Sequence, residues 1–193
     1  ALDNGTITIE AYAVDQAGNQ SDTVTHDIVL DNVAPAAPVI SGFSDDTGTQ
    51  ANSTSDTTLT FSGTAEANAT VQLFRGGGIV GTATADGAGN WTITTDELSE
   101  GYATYEARAL DAAGNVSGWS NDLYLNIDTT APAAPVISGF SQDTGTPGDG
   151  ITTDNTLTLS GTGAPGSTVV IYDNGVQLGT AQVYGGGTWS FAT

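Results

Sequence analysis

A long internal repeat constrains this chain more than any other feature. The segment DNVAPAAPVISGFSDDTG, beginning at Asp31, returns as DTTAPAAPVISGFSQDTG at Asp128, 97 positions later. LTFSGTAEANATVQLF from Leu59 returns as LTLSGTGAPGSTVVIY from Leu157, and GNWTI around Trp91 returns as GTWSF around Trp189. In an earlier phase, LDNGTITIEAYAVDQAGNQS from Leu2 matches LSEGYATYEARALDAAGNVS from Leu98. Self-similarity at a fixed period marks a repeat architecture. The chain therefore divides into the C-terminal part of one repeat (1–31), a complete repeat (32–128) and the N-terminal part of a third (129–193). Writing Thr193 next to Ala1 gives GTWSFATALDNGTITIEAYAVDQAGN, which aligns with GNWTITTDELSEGYATYEARALDAAGN with one residue fewer. The expectation is one period of a longer tandem array, divided in mid-domain.

Within the complete repeat, short runs alternate apolar and polar residues between turn signals. Thr-Leu-Thr-Phe-Ser and Trp-Thr-Ile-Thr have the period of two that places one strand face in a core. Strands are expected at 39–43, 57–63, 70–74, 79–84, 90–94, 103–111 and 121–127. Seven short strands in a segment of this length point to an all-β fold of tandem immunoglobulin-like β-sandwich domains, about seven strands each. Pro35, Pro38, Pro132 and Pro135 cannot donate ladder hydrogen bonds and suit a stiff linker leading into an edge strand.

The motifs DTTAPAAPVI, TLTLSGTGAPGSTVVIYDNG, GxWxF and ALDAAGN resemble the bacterial Ig-like repeats of giant secreted adhesins, including biofilm-associated and RTX-type proteins. That resemblance spans the whole chain. It implies an extracellular stalk at the bacterial cell surface, supporting cell adhesion and biofilm formation and stiffened by calcium at or near domain junctions. It also implies that host or matrix glycans are bound through other domains.

Charge narrows the partners. The chain carries 22 Asp plus Glu against 2 Lys plus Arg, a formal net charge of -20. Nucleic acid is excluded as a partner, because phosphate contacts require Lys and Arg, and anionic lipid is excluded on the same ground. The absence of cysteine removes disulfides and thiolate chemistry. No apolar run approaches the length of a membrane span. No basic-then-apolar leader follows Ala1, so an export signal is expected outside this segment. The expected partners are neighbouring Ig-like repeats of the same or identical chains, and divalent cations.

Alternating strand direction places the loops at two poles. At the first junction, Asp31 from the linker meets Asp111 of LDAAGN, and the preceding copy adds its equivalents of Asp143, Asp149 and Asp154. At the second, Asp128 meets Asp45, Asp46 and Asp56, with Asp15 supplied by the following copy. Carboxylates gathered this closely repel one another, and a hard cation taking six to eight oxygens removes that penalty. Ca2+ is the expected ion, because flexible loops suit it better than Mg2+, which demands stricter octahedral geometry. Asp, Asn and Gly also form turns on their own account, which is the plain structural alternative. Nothing assembles a catalytic constellation: His26 is the one histidine and has no repeat counterpart. Trp91 and Trp189 share a repeat position and read as core, whereas Trp119 occurs in one repeat only and marks the alternative of a carbohydrate- or receptor-binding module.

Overall fold

The computed structural model describes residues 4–44, 52–141, 143–146 and 148–193. Among these residues every regular element is a β-strand. The chain forms two compact units, Ala1–Thr129 and Thr130–Thr193.

The first unit opens with a hairpin of β1 (Gly5–Ala11) and β2 (Val24–Leu30), antiparallel from Gly5↔Leu30 to Ala11↔Val24. The complete repeat follows as β3 (Val39–Phe43), β4 (Ser53–Thr54), β5 (Thr60–Thr64), β6 (Thr70–Arg75), β7 (Gly78–Thr84), β8 (Asn90–Thr94), β9 (Gly101–Leu110) and β10 (Leu123–Ile127). One sheet has the order β3-β5-β8 and the other β4-β10-β9-β6-β7. All seven expected strands are present. The eighth, β4, is two residues long and pairs in parallel with β10 through Asn126↔Ser53 and Ile127↔Thr54.

Alternation builds the core. In β8 the side chains run exposed, buried, exposed, buried, exposed, so that Trp91 and Ile93 point inward. β9 buries Tyr105, Ala107 and Ala109 on the same principle. Trp91, Ile93, Tyr105 and Ala107 meet Leu59, Phe61, Val71, Leu73, Leu125 and Ile127 in one apolar cluster between the sheets. Phe61 from the smaller sheet lies 4.8 Å from the Tyr105 ring of the larger one, centroid to centroid. Two sheets joined face to face in this way make an immunoglobulin-type sandwich.

The second unit repeats the plan with fewer strands. β11 (Val136–Ser141), β12 (Thr158–Thr162) and β15 (Thr188–Ala192) form one sheet, and β13 (Thr168–Asp173) and β14 (Val176–Gln182) form another. Trp189 packs with Val169, Ile171, Ala181 and Val183, so both repeated tryptophans are core residues.

Each tryptophan lies on a glycine of the Ser-Gly-Thr motif. A methyl group placed on Gly63 would stand 1.9 Å from the Val39 carbonyl oxygen and 2.5 Å from the Trp91 ring. On Gly161 it would stand 1.9 Å from the Val136 oxygen and 2.6 Å from the Trp189 ring. Neither a backbone carbonyl nor a buried indole yields cheaply. Gly63→Ala is therefore expected to cost about 3 kcal/mol by overpacking, lowering the melting temperature of the complete sandwich by roughly 12 °C or more. Thermal melting followed by near-ultraviolet circular dichroism checks this, and an unshifted transition contradicts the packing argument.

Candidate functional site

Three loops share the pattern Asp-x-Ala-Gly-Asn: Asp15–Asn19, Asp86–Asn90 and Asp111–Asn115. In each, one carboxylate oxygen accepts the backbone N–H groups two and four residues on, at 2.9 and 2.9 Å for Asp15, 2.9 and 2.8 Å for Asp86, and 2.9 and 2.8 Å for Asp111. The Asn side chain closes the ring by donating to the second oxygen, at 2.8 Å in the Asp15 and Asp111 loops and 3.3 Å in the Asp86 loop. The glycine turns through positive φ at 90°, 85° and 91° for Gly18, Gly89 and Gly114, a conformation that disfavours any side chain. A carboxylate fed by several N–H donors prefers its charged form. The Asn side-chain amides hold Asp15 and Asp111 below the usual carboxylate range, and the backbone N–H of Asn90 does the same for Asp86.

These bonds give the predicted ligands Asp15 and Asp111 a turn-closing role. Asn115, the last residue of the LDAAGN motif, links two of the candidates. Its amide donates to Asp111 Oδ2 at 2.8 Å and to the Asp31 carbonyl oxygen at 3.1 Å. Asp31 Oδ1 accepts from the Val33 N–H at 3.1 Å. The linker is thus hydrogen-bonded to the pole of the domain that follows it.

A second pair meets at buried Thr54. The Asp56 N–H donates to Thr54 Oγ1 at 3.0 Å, and the Asp128 N–H donates to the Thr54 carbonyl at 2.9 Å. Asp56 Oδ1 in turn accepts from the Thr58 N–H at 2.8 Å. Asp45 and Asp46, expected at this pole, lie outside the described residues.

The third group lies in the loop between β11 and β12. Asp143 Oδ2 accepts from the Gly148 N–H at 2.6 Å, Asp149 Oδ1 from Ile151 at 2.9 Å, and Asp154 Oδ1 from the N–H and hydroxyl of Thr156 at 2.9 and 2.8 Å. The Thr156 N–H lowers the Asp154 pKa. The Thr144 hydroxyl accepts from the Thr153 N–H at 2.7 Å and folds the loop back on itself. Asp143 Oδ1 differs from the other oxygens, being buried with no hydrogen-bond partner among the described residues. Buried carboxylate oxygens are expensive without a partner, and an orphan of this kind fits a hard cation. Among the described residues, no group of three or more acidic or histidine side chains stands close enough to hold a metal by itself.

Aromatic surface groups separate into two kinds. Trp119 packs edge-on to Phe74, with 5.0 Å between centroids, and the Arg108 guanidinium lies 4.9 Å from the Phe74 centroid and 5.3 Å from that of Trp119. Its uniqueness to one repeat is accounted for by this lateral packing. Tyr102 and Tyr124, by contrast, stand exposed on the outer face of β9 and β10. They border a groove of about 560 Å³ floored by Ala103 and Leu125 and flanked by Asn52 and Asn126. The sequence reading missed them, although a signal existed: the hairpin has Thr6 and Asp27 at the matching positions. His26, on β2 opposite Ile9, is exposed.

A family model described as "Bacterial Ig-like domain" matches residues 34–129 and again 130–193. The chain belongs to the bacterial Ig-like domain family. These Ig-like domains share 38% identity over 120 residues with exoglucanase B of Cellulomonas fimi, covering 58% of this chain and 10% of that protein. The chain thus spans a tenth of the length of the curated relative it matches. Among solved structures, a tetra-tandem repeat from the extending region of a large adhesion protein is 26% identical, covering 98% of this chain and 48% of that one, with a TM-score of 0.40. A structure from a 1.5-MDa bacterial ice-binding adhesin is 20% identical, covering 99% and 64%, with a TM-score of 0.37.

The depressed carboxylate pKa values set the acid limit of the Ig-like loops. A group whose folded pKa lies below its unfolded value contributes stability above the unfolded pKa, about 4, and loses it as the pH falls through the folded value. Melting temperature is therefore expected to hold from pH 7 to about pH 5 and then fall. The triple variant Asp15→Asn/Asp86→Asn/Asp111→Asn should melt lower at pH 7 and decline less steeply in acid. Equal acid slopes in the two proteins would contradict the loop assignment.

Proposed function

We propose that this chain is a segment of an extracellular, non-enzymatic stalk at a bacterial surface, in which tandem Ig-like sandwiches supply reach for an adhesin. The observation that carries this reading is the Asn115 bridge. A domain that hydrogen-bonds its own incoming linker fixes the angle at which consecutive units follow one another. The Ala-Pro-rich linker adds stiffness, and the shared acidic charge keeps neighbouring fibres apart. The motif resemblance noted above points the same way.

Calcium belongs to this reading as the ion that rigidifies the junctions. Its support is the orphaned Asp143 oxygen, together with the loop that carries Asp149 and Asp154. These residues, with Asp31 and Asp111 at one pole and Asp56 and Asp128 at the other, offer the oxygen donors Ca2+ prefers. The remaining ligands would come from an adjoining repeat. Bound calcium would supply charge neutralisation and a cross-link between adjacent units. Millimolar calcium is expected to raise the melting temperature by several degrees and to give a saturable heat signal in titration calorimetry. Asp143→Asn should weaken that signal at least tenfold. If EDTA and calcium leave the protein with one melting curve, the calcium part of the reading fails and the stalk remains.

The Tyr102–Tyr124 groove favours a second reading, a carbohydrate-binding module. Exposed tyrosines beside amide side chains offer stacking surface and hydrogen bonds to a sugar ring. Tyr102→Ala and Tyr124→Ala would each reduce retention on a glycan array at least tenfold without moving the melting temperature. An array that retains nothing removes this reading.

A further inference from the structure

Tyr102 is the most exposed large hydrophobic side chain of the complete sandwich, at 87%. It stands on β9, whose other face is buried at Tyr105, Ala107 and Ala109. Among the described residues no aromatic ring packs against it. Tyr124 is 63% exposed, and its hydroxyl donates to Asp122 Oδ2 at 3.0 Å. Tyr102 lies opposite Asn126 in the ladder and Tyr124 opposite Thr104, so the two tyrosines sit on a diagonal of the sheet, about 7 Å apart at the backbone. Groups carried by paired strands hold their positions better than groups on loops.

The groove beside these rings is one of two depressions that meet at Tyr102. The other, of about 620 Å³, is bordered by Arg75, Val80, Glu97, Ser99 and Glu100, and it shares Gly76, Tyr102 and Ala103 with the first. Each falls in the size range of a small-ligand site, and a chain laid across Tyr102 enters both. Their charge is one-sided. Asp122 stands at the Tyr124 end, and Glu97 and Glu100 stand at the other. Neither arginine offsets them. Arg75 donates through Nη1 and Nη2 to Ser99, and Arg108 lies against Phe74 and Trp119. Glu97 is exposed and has no hydrogen-bond partner among the described residues, so its charge faces the second depression unmatched.

We propose that this surface takes an internal stretch of a linear glycan free of acidic groups, with sugar units on both sides of Tyr102, and that Glu97 turns acidic chains away. The inference rests on the carbohydrate-binding reading of the Tyr102–Tyr124 groove. A pyranose ring has an apolar face that stacks on an aromatic ring and an equatorial rim of hydroxyls. Tyr102 and Tyr124 supply the rings, and Asn52, Asn126 and Thr104 line the same groove with amide and hydroxyl groups. A single terminal sugar would occupy one depression only. A uronate chain crossing Tyr102 would bring its carboxylates toward Asp122 at one end and Glu97 at the other. Like charges brought this close repel, and the repulsion weakens as salt screens it. Discrimination of this kind works by a penalty on the wrong ligand as well as by contacts with the right one.

A printed array tests it with the full chain. The probes are glucose, galactose, mannose and N-acetylglucosamine, each as single sugar and linear hexamer, beside hexamers of glucuronate, galacturonate and mannuronate. At least one neutral hexamer is expected to be retained about tenfold better than its single sugar, while the acidic hexamers wash through. Glu97→Gln, at an exposed position, should leave the melting temperature and neutral retention unchanged and raise retention of an acidic hexamer roughly threefold. Salt at about 0.5 M should bring the parent protein to the same level by screening. Acidic hexamers held as well as neutral ones, or single sugars held as well as hexamers, would overturn this inference and leave the carbohydrate reading standing. Acidic retention that neither Glu97→Gln nor salt changes overturns the part assigned to Glu97. An array that holds no glycan at all removes the inference together with the reading beneath it.

Discussion

The contact between Phe61 and Tyr105 joins the two sheets, and the completeness of a domain depends on it. Each strand of a sandwich has one apolar face, and that face is useful only when the opposite sheet covers it. Tyr105 lies on β9, which with β10 forms the middle of the five-stranded sheet. Where these two strands are in place, Phe61, Leu59 and Ile40 are buried. In Thr130–Thr193, whose described residues include no counterpart of that pair, Leu159 and Leu157 at the positions of Phe61 and Leu59 are only half-buried. The repeat therefore has one packing solution, present in full between residues 39 and 127 and in part elsewhere.

The loops follow a different logic. Asp-x-Ala-Gly-Asn closes through bonds confined to five residues, so it takes the same form on the isolated hairpin as on the complete domain. Its carboxylate is occupied by local donors before any ion or neighbouring domain is considered. Asp143 is the exception, because one of its oxygens has no local donor among the described residues. Acidic residues that look equivalent in a list of turn carboxylates are thus chemically distinct once their donors are traced.

Strand positions were legible because alternation and turn residues are local signals. Trp91 and Trp189 were legible as core because the repeat places them in register. β4 was not legible, since two residues carry no period, and it exists only because β10 offers a parallel partner. The glycine under each tryptophan reads as an ordinary turn former until the Val39 and Val136 carbonyls are seen to crowd it. Trp119 looked like a surface anomaly because Phe74 and Arg108 lie far from it in sequence. Tyr102 and Tyr124 sit in strands whose neighbours alternate normally, so only the outer-face groove distinguishes them.

The scarcity of basic residues reaches beyond electrostatics. Arg75 is engaged by the Ser99 hydroxyl and carbonyl, both at 2.6 Å, and Arg108 lies against Phe74 and Trp119 with its Nε–H on Gln72. Both arginines belong to paired strands of the complete sandwich, and no lysine occurs in the 193 residues. An enzyme that cuts after basic side chains thus finds two scissile bonds, each held in a ladder that must come apart before cleavage. Resistance to an enzyme of that one specificity follows from composition and pairing alone.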